Sequence, residues 1–248
     1  MTTYRHLDSV RIVETVAALE VRISERFPGS SLSRLVADLH QVANETISRM
    51  AWIQKPHLPL RVGMWTLTVA IIAVFLGMLF NYRELRLTEF ANFIQALDAG
   101  ISSIVYIGAA IVFLITWETR LKRGRALRAI HELRAMAHIV DMHQLTKDPE
   151  RAFRVGVDTA SSPKRTLSPF ELSRYLEYCS EALSLMSKIA ALYVQDFQDS
   201  VVLDAVDDLE DLTIGISRKV WQKITLIDLM KRTALPDQAA FPLTEPNR

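Results

Sequence analysis

The chain has 248 residues, 50% hydrophobic and 23% charged, and its 29 Lys+Arg nearly balance 28 Asp+Glu for a formal net charge of +1. These averages exclude a disordered chain, a collagen-like repeat and a strongly basic nucleic-acid binder, so no nucleic acid is expected as a partner. The lone cysteine, Cys179, excludes an intrachain disulfide and any multi-cysteine metal site.

Residues 1–58 read as a pair of helices outside the membrane. Ile12, Val16, Leu19 and Ile23 recur at spacings of 4, 3 and 4, the period of an amphipathic helix. That helix should stop near Phe27-Pro28-Gly29. Ser30 or Ser31 can cap the next one, because a serine oxygen accepts a free backbone N–H. Its stripe is Leu32, Leu35 or Val36, Leu39, Val42, Thr46 and Met50. Pro56 and Pro59 are expected to break the chain before the next element. His6, His40 and His57 show no clear spacing and read as surface or interface residues.

Residues 59–119 read as a transmembrane hairpin. Val62 to Phe80 holds no charge in 19 positions, and Asn81 and Tyr82 extend the run; Ala99 to Trp117 is a second uncharged run of 19. A hydrocarbon core about 30 Å thick needs roughly 20 apolar residues in a helix, so spans of about 62–82 and 99–117 are expected. Trp65, Tyr82 and Trp117 sit near run ends, where aromatic belts occur. Because 61 residues precede the first run, it does not read as a signal peptide. Positive charge sets the orientation. Arg49, Lys55 and Arg61 precede the first run, and Arg120, Lys122, Arg123, Arg125 and Arg128 follow the second. Between them, Arg83 and Arg86 are offset by Glu84, Glu89 and Asp98. Both termini are thus expected in the cytoplasm, with a short external connection, in the plasma (inner) membrane. Leu87, Phe90, Ile94 and Leu97 recur at helical spacing, so the connection can lie in the outer interface. Thr66, Ala70, Ala73 and Gly77 form a small-residue face suited to close helix approach, within the hairpin or between copies of the chain.

Residues 120–235 read as a further helical region. No proline lies between the second span and residue 148, so one unbroken helix from about Ala99 to Leu145 is allowed, with Gly124 its weak point. Residues 146–168 read as a polar linker with Pro149 and Pro163. Ser168-Pro169-x-Glu171 is a capping box with proline at the first helical position. The stripe behind it, Leu172, Leu176, Cys179, Leu183, Met186, Ala190 and Tyr193, suits a bundle helix or short coiled coil. Cys179 lies inside it as a small core residue. After a break at Gln198-Asp199-Ser200, a last helix with Val202, Val206, Leu209, Ile216, Val220 and Ile227 in register runs to about Arg232. Residues 236–248 read as a loose tail.

Charge is segregated. Glu118–Arg165 carries 11 Lys/Arg against 6 Asp/Glu, and Glu171–Asp211 carries 2 against 10. The acidic block reads as a solvated face, with docking onto the basic helix as the second reading and cation binding a distant third. The basic cluster Arg120–Arg128 reads as the topology signal and also suits anionic headgroups, making membrane lipids expected partners.

One constellation stands out. Residues 129–142 are apolar on most sides, through Ile130, Leu133, Ala137 and Val140 on one stripe and Ala135, Met136, Ile139 and Met142 elsewhere, which predicts a central buried helix. Against that background His131, Arg134, His138 and Asp141 fall at spacings of 3, 4 and 3 along one face. A buried polar network is the first reading. A pH-responsive contact and a metal site follow, the latter disfavoured because Arg134 sits between the candidate ligands. No metal or cofactor is expected.

There is no phosphate-cradling glycine loop, no G-x-S-x-G and no H-E-x-x-H, so no enzyme is expected. The sequence therefore points to an all-α integral membrane protein whose N- and C-terminal segments build a cytoplasmic helical bundle, acting as an interaction or assembly module toward an unknown protein partner or a second copy. An oligomeric channel or transport accessory subunit lined by Ser102, Ser103, Thr66 and Thr68 is one alternative. A membrane sensor using His131 and His138 is another.

Overall fold

The structure is a computed structural model that describes residues 6–54, 58–81, 90–153, 160–161 and 167–234. Of the expected external connection, residues 83–89 lie outside these residues, as do much of the linker, His57 and the tail, whereas residues 90–98 form the first turns of α4 (Phe90–Leu145). The described chain is all-helical, with no strand. The helices are α1 (Ser9–Arg26), α2 (Ser31–Gln54), α3 (Leu58–Asn81), α4 (Phe90–Leu145), α5 (Pro149–Ala152), α6 (Pro169–Gln195) and α7 (Ser200–Ala234). The chain divides into two compact units, Met1–Met50 with Leu127–Arg248, and Ala51–Ala126.

The first unit is a helical bundle with α6 at its centre. Every member of the α6 stripe is buried, and so are Ser173, Tyr175, Tyr178, Ala182, Leu185, Ile189 and Leu192. A helix covered on so much of its circumference needs neighbours on several sides, and α6 packs against α1, α5 and α7. Cross-links give the directions. Leu7 pairs with Gln195 and Arg22 with Glu181, so α1 runs antiparallel to α6. The break at 196–199 turns α6 back into α7, with Ser187 facing Glu210. Arg134 meets Asp208, Asp141 meets Lys219 and Gln144 meets Lys223, so the end of α4 runs parallel to α7. The core combines Val16, Leu19 and Ile23 of α1, Leu32, Val36 and Leu39 of α2, Ile130 and Leu133 of α4, and Val206, Leu209 and Val220 of α7. Each such aliphatic side chain contributes about 1.5–3 kcal/mol of transfer free energy.

The helix ends follow local chemistry. Asp8 caps α1 by accepting from the Val10 and Arg11 amides. Phe27 ends α1, where its amide still donates to the Ile23 carbonyl, and Gly29 supplies the left-handed turn at φ +68°. Of the two candidate serines, Ser30 caps α2, its Oγ accepting from the Ser33 amide. Ser168 and Glu171 form the reciprocal capping box of α6, which holds the Glu171 carboxyl below its usual range through the Ser168 amide and hydroxyl. Asp199 caps α7 through the Val201 and Val202 amides.

Three expectations need correction. Pro59 does not break the chain: it lies in the first turn of α3, where its missing N–H would have had no intrahelical partner. The linker 146–168 contains a short helix, α5, whose Glu150 amide is held by Asp148. The 129–142 stretch is not the central helix. Ala135, Ile139 and Met142 face outward, and Ala129, Ile130, Leu133, Met136, Ala137 and Val140 alone face the core.

The second unit holds α3 and most of α4. By length and composition, one helical stretch among the described residues, Gly100–Leu145, is long and apolar enough to cross a membrane; its most apolar window has mean hydropathy 2.0 and is not buried within the protein. Ile104 is 68% exposed and Tyr106 75%. On α3, Val62, Trp65, Val69, Ile72 and Leu76 are exposed as well. Thr66, Ala70, Ala73 and Gly77 are all exposed, and a Cβ on Gly77 would meet nothing within 4 Å. α4 runs unbroken through Gly124, the expected weak point.

Candidate functional site

The stripe on α4 is not a buried network, which corrects the first reading of it. His131 and His138 are exposed, and Arg134 and Asp141 half-buried. They share a face, but the core lies on the other side of the helix, where the larger aliphatic residues point. Arg134 Nη2 lies 3.6 Å from Asp208, and Asp141 accepts from Gln144 Nε2 at 2.7 Å with Lys219 Nζ at 3.9 Å. Two of the four residues are thus links to α7, and the histidines extend outward beside them. Among the described residues no group of three or more His, Cys, Asp or Glu is arranged to hold a metal ion.

The acidic block is mostly solvated. Asp196, Asp204, Asp207, Asp208 and Asp211 are exposed, while Asp199 is buried by its capping role. Arg134–Asp208 links the basic helix to this block, and an exposed pair of that kind contributes about 0–1 kcal/mol.

Two polar nodes were not singled out by sequence reasoning. The first joins α2, α4 and α6. Arg49 donates to Glu132 Oε2 and to Glu45 Oε2, each at 2.7 Å. Beside it, Tyr193 Oη donates to Thr46 Oγ1 at 3.1 Å, and the Thr46 hydroxyl donates in turn to the Val42 carbonyl. The Glu132 hydrogen bond raises the Arg49 pKa, and burial raises that of Tyr193. A charge so held positions helices, because it is satisfied only when all three are in register.

The second node closes the C-terminal end of α4. Lys223 Nζ of α7 donates to the Gln144 carbonyl, placing a cation where the helix leaves unpaired acceptors. Burial lowers the Lys223 pKa, while Asp148 and Asp141 oppose the shift. Gln144 is only 1% exposed, and its Oε1 and the neighbouring His143 Nδ1 have no hydrogen-bond partner among the described residues. The His143 pKa is lowered by burial and by Lys147 and Arg34. Cys179 is completely buried, and desolvation pushes its thiol up to about 12, so it is an inert core residue rather than a nucleophile. No spacing rule could reveal either node, because their partners lie 83, 147 and 79 positions apart.

A groove of about 520 Å³ opens between α1, α6 and α7, lined by Thr15, Glu181, Ser184, Lys188 and Trp221 among others. Lys188 Nζ lies 2.6 Å from Ser184 Oγ there. Both side chains are exposed, whereas lysine activates a serine only where burial or a neighbouring cation leaves its amine neutral. The contact is an ordinary one-turn pair on a helix surface.

No protein family, curated relative or solved structure matches the chain.

Proposed function

We propose that the chain is a two-pass membrane protein, with Val62–Phe80 and Ala99–Trp117 as antiparallel spans and both termini in the cytoplasm. Its helical unit, built from the N- and C-terminal segments, is an assembly module that binds a protein partner or a second copy. The reading includes no catalytic step. The observation that carries it is the inversion of apolar side chains between the two units: buried around α6, turned outward along α3 and residues 100–117. In water such outward apolar surface is unfavourable at about 25 cal/mol per Å², so it requires lipid or other protein around it. Further support for assembly is the outward apolar side of α4, where Met142 is 67% and Leu145 64% exposed.

Topology is tested with introduced cysteines, since the native thiol is too deeply buried to report. In a Cys179→Ala background, Glu89→Cys should react with an impermeant thiol reagent in intact cells, and Thr15→Cys only after permeabilisation. The reverse pattern overturns the orientation. Assembly is tested by the mass of the detergent-extracted protein, where Met142→Asp should reduce a larger species to monomer. A wild-type monomer with no bound partner would count against the module. The channel reading is less well supported, because Thr66, one of its expected lining residues, donates its hydroxyl to the Val62 carbonyl of its own helix.

A further inference from the structure

Residues 118–126 of α4, directly after its apolar stretch, carry four cations, Arg120, Lys122, Arg123 and Arg125, against the single carboxylate Glu118. At 3.6 residues per turn they point at about 0°, 200°, 300° and 140° around the helix axis. A helix lying on a bundle surface would gather such charges on one side. Charges distributed all round suit a helix that passes through a layer of opposite charge.

The structure separates the four by their surroundings. Lys122 Nζ lies 2.9 Å from Glu118, and both side chains are largely covered (15% and 20% exposed), so this cation is internally neutralised. Arg123 is half-buried. Arg120 and Arg125 are exposed, and the Arg125 guanidinium stacks on the Trp52 ring at 3.4 Å from its centroid. Stacking uses the face of the guanidinium, and the N–H donors lie in its plane, where they suit phosphate oxygens. Trp52 also fixes the arginine, which lowers the ordering cost of binding.

Depth agrees with charge. Trp117, exposed, ends the uncharged run. At about 1.5 Å per residue, Arg120 lies about 4–5 Å beyond it and Arg125 about 12 Å. The interfacial layer on each side of the hydrocarbon core is roughly 5–8 Å thick. Helical Cα–Cβ bonds tilt toward the N-terminus, which in α4 is the side of the apolar stretch, so these long side chains lean back toward that layer.

We propose that this part of α4 is a binding collar for anionic phospholipid headgroups, anchored by Arg120 and by Arg125 stacked on Trp52. The inference rests on the membrane reading above and adds lipid selectivity to it, with unequal roles for the cations.

The test uses the full chain in vesicles of phosphatidylcholine with a minority of phosphatidylglycerol. After extraction in mild detergent, the retained phospholipids are quantified. Wild type should retain phosphatidylglycerol in excess of its bulk share. Arg120→Gln and Arg125→Gln should each lower that excess about fivefold, and raised salt should lower it further. Removing the internally neutral pair together, as Glu118→Gln/Lys122→Gln, should leave it unchanged. Arg125→Lys, which keeps the charge but not the planar fork, should lower it less than Arg125→Gln does, which covers the case where Arg125→Gln perturbs folding. Full enrichment in the Arg120→Gln/Arg125→Gln double variant overturns the proposal. Displacement by inorganic phosphate also overturns it, by marking a free-phosphate site. Alkaline carbonate treatment separates the two readings: protein that stays with the vesicles without enrichment loses only the collar, whereas protein released by carbonate loses the membrane reading too.

Discussion

In the bundle, Leu133, Leu183 and Leu209 are fully buried, whereas Ile104, Val105 and Phe113, one apolar stretch earlier on α4, are all at least 60% exposed. Hydrophobicity alone does not separate these groups. The difference lies in what accompanies them: the buried leucines alternate with charged residues at a helical period, and the outward ones do not. Periodicity marks a side chain that chooses between water and protein, and uniform apolarity marks one that needs no water-facing side.

The contrast can be broken most directly in the core. Leu183→Ala should destabilise the bundle by about 2–5 kcal/mol in denaturant unfolding followed by circular dichroism, and Val105→Ala should leave that transition unmoved. A similar loss for both would mean that residues 100–117 support the bundle core. Smaller effects sharpen the picture. Ser168→Ala should cost about 1 kcal/mol by removing the α6 cap. Arg49→Met should cost about 1 kcal/mol, the half-exposed ion pairs being weakened by solvent. If Glu132→Gln in the same background adds no further loss, the two act as one link.

The smallest effect is a pH dependence. The His143 pKa is lowered in the folded state, so between that value and the unfolded 6.5 the unfolded chain binds more protons. Stability therefore falls as pH drops through this window and is recovered above 6.5. His143→Gln should flatten the slope, measured as the denaturation midpoint at successive pH values. An unchanged slope would assign the pH response to other groups.

Much of the bundle was legible. The α6 and α7 stripes, the capping box and the break before Ser200 are local patterns, and local patterns determine helix ends and core faces. The outward placement of Ile139 and Met142 was not legible, because an apolar residue signals readiness to be buried and not whether a neighbour exists on that side. The histidine stripe was misplaced for the same reason: residues 129–142 offered two possible core faces, and the bundle uses the one with Ile130, Leu133 and Val140. Arg49–Glu132 and Lys223–Gln144 depend on tertiary proximity and left no signal in spacing.

The hydrogen bond from Tyr193 to Thr46 spans 147 positions of the chain. At about 5–20 residues per second, a ribosome would need roughly 7–30 s to make the second partner after the first. Throughout that interval α1 and α2 exist without α6, and Leu19, Ile23, Leu32 and Leu39 have no bundle to enter. The apolar segments of the other unit emerge during the same wait. In a nascent chain so ordered, the apolar stripes of the first helical pair lack their bundle partners until the last 80 or so residues arrive, an interval set by translation rather than by stability.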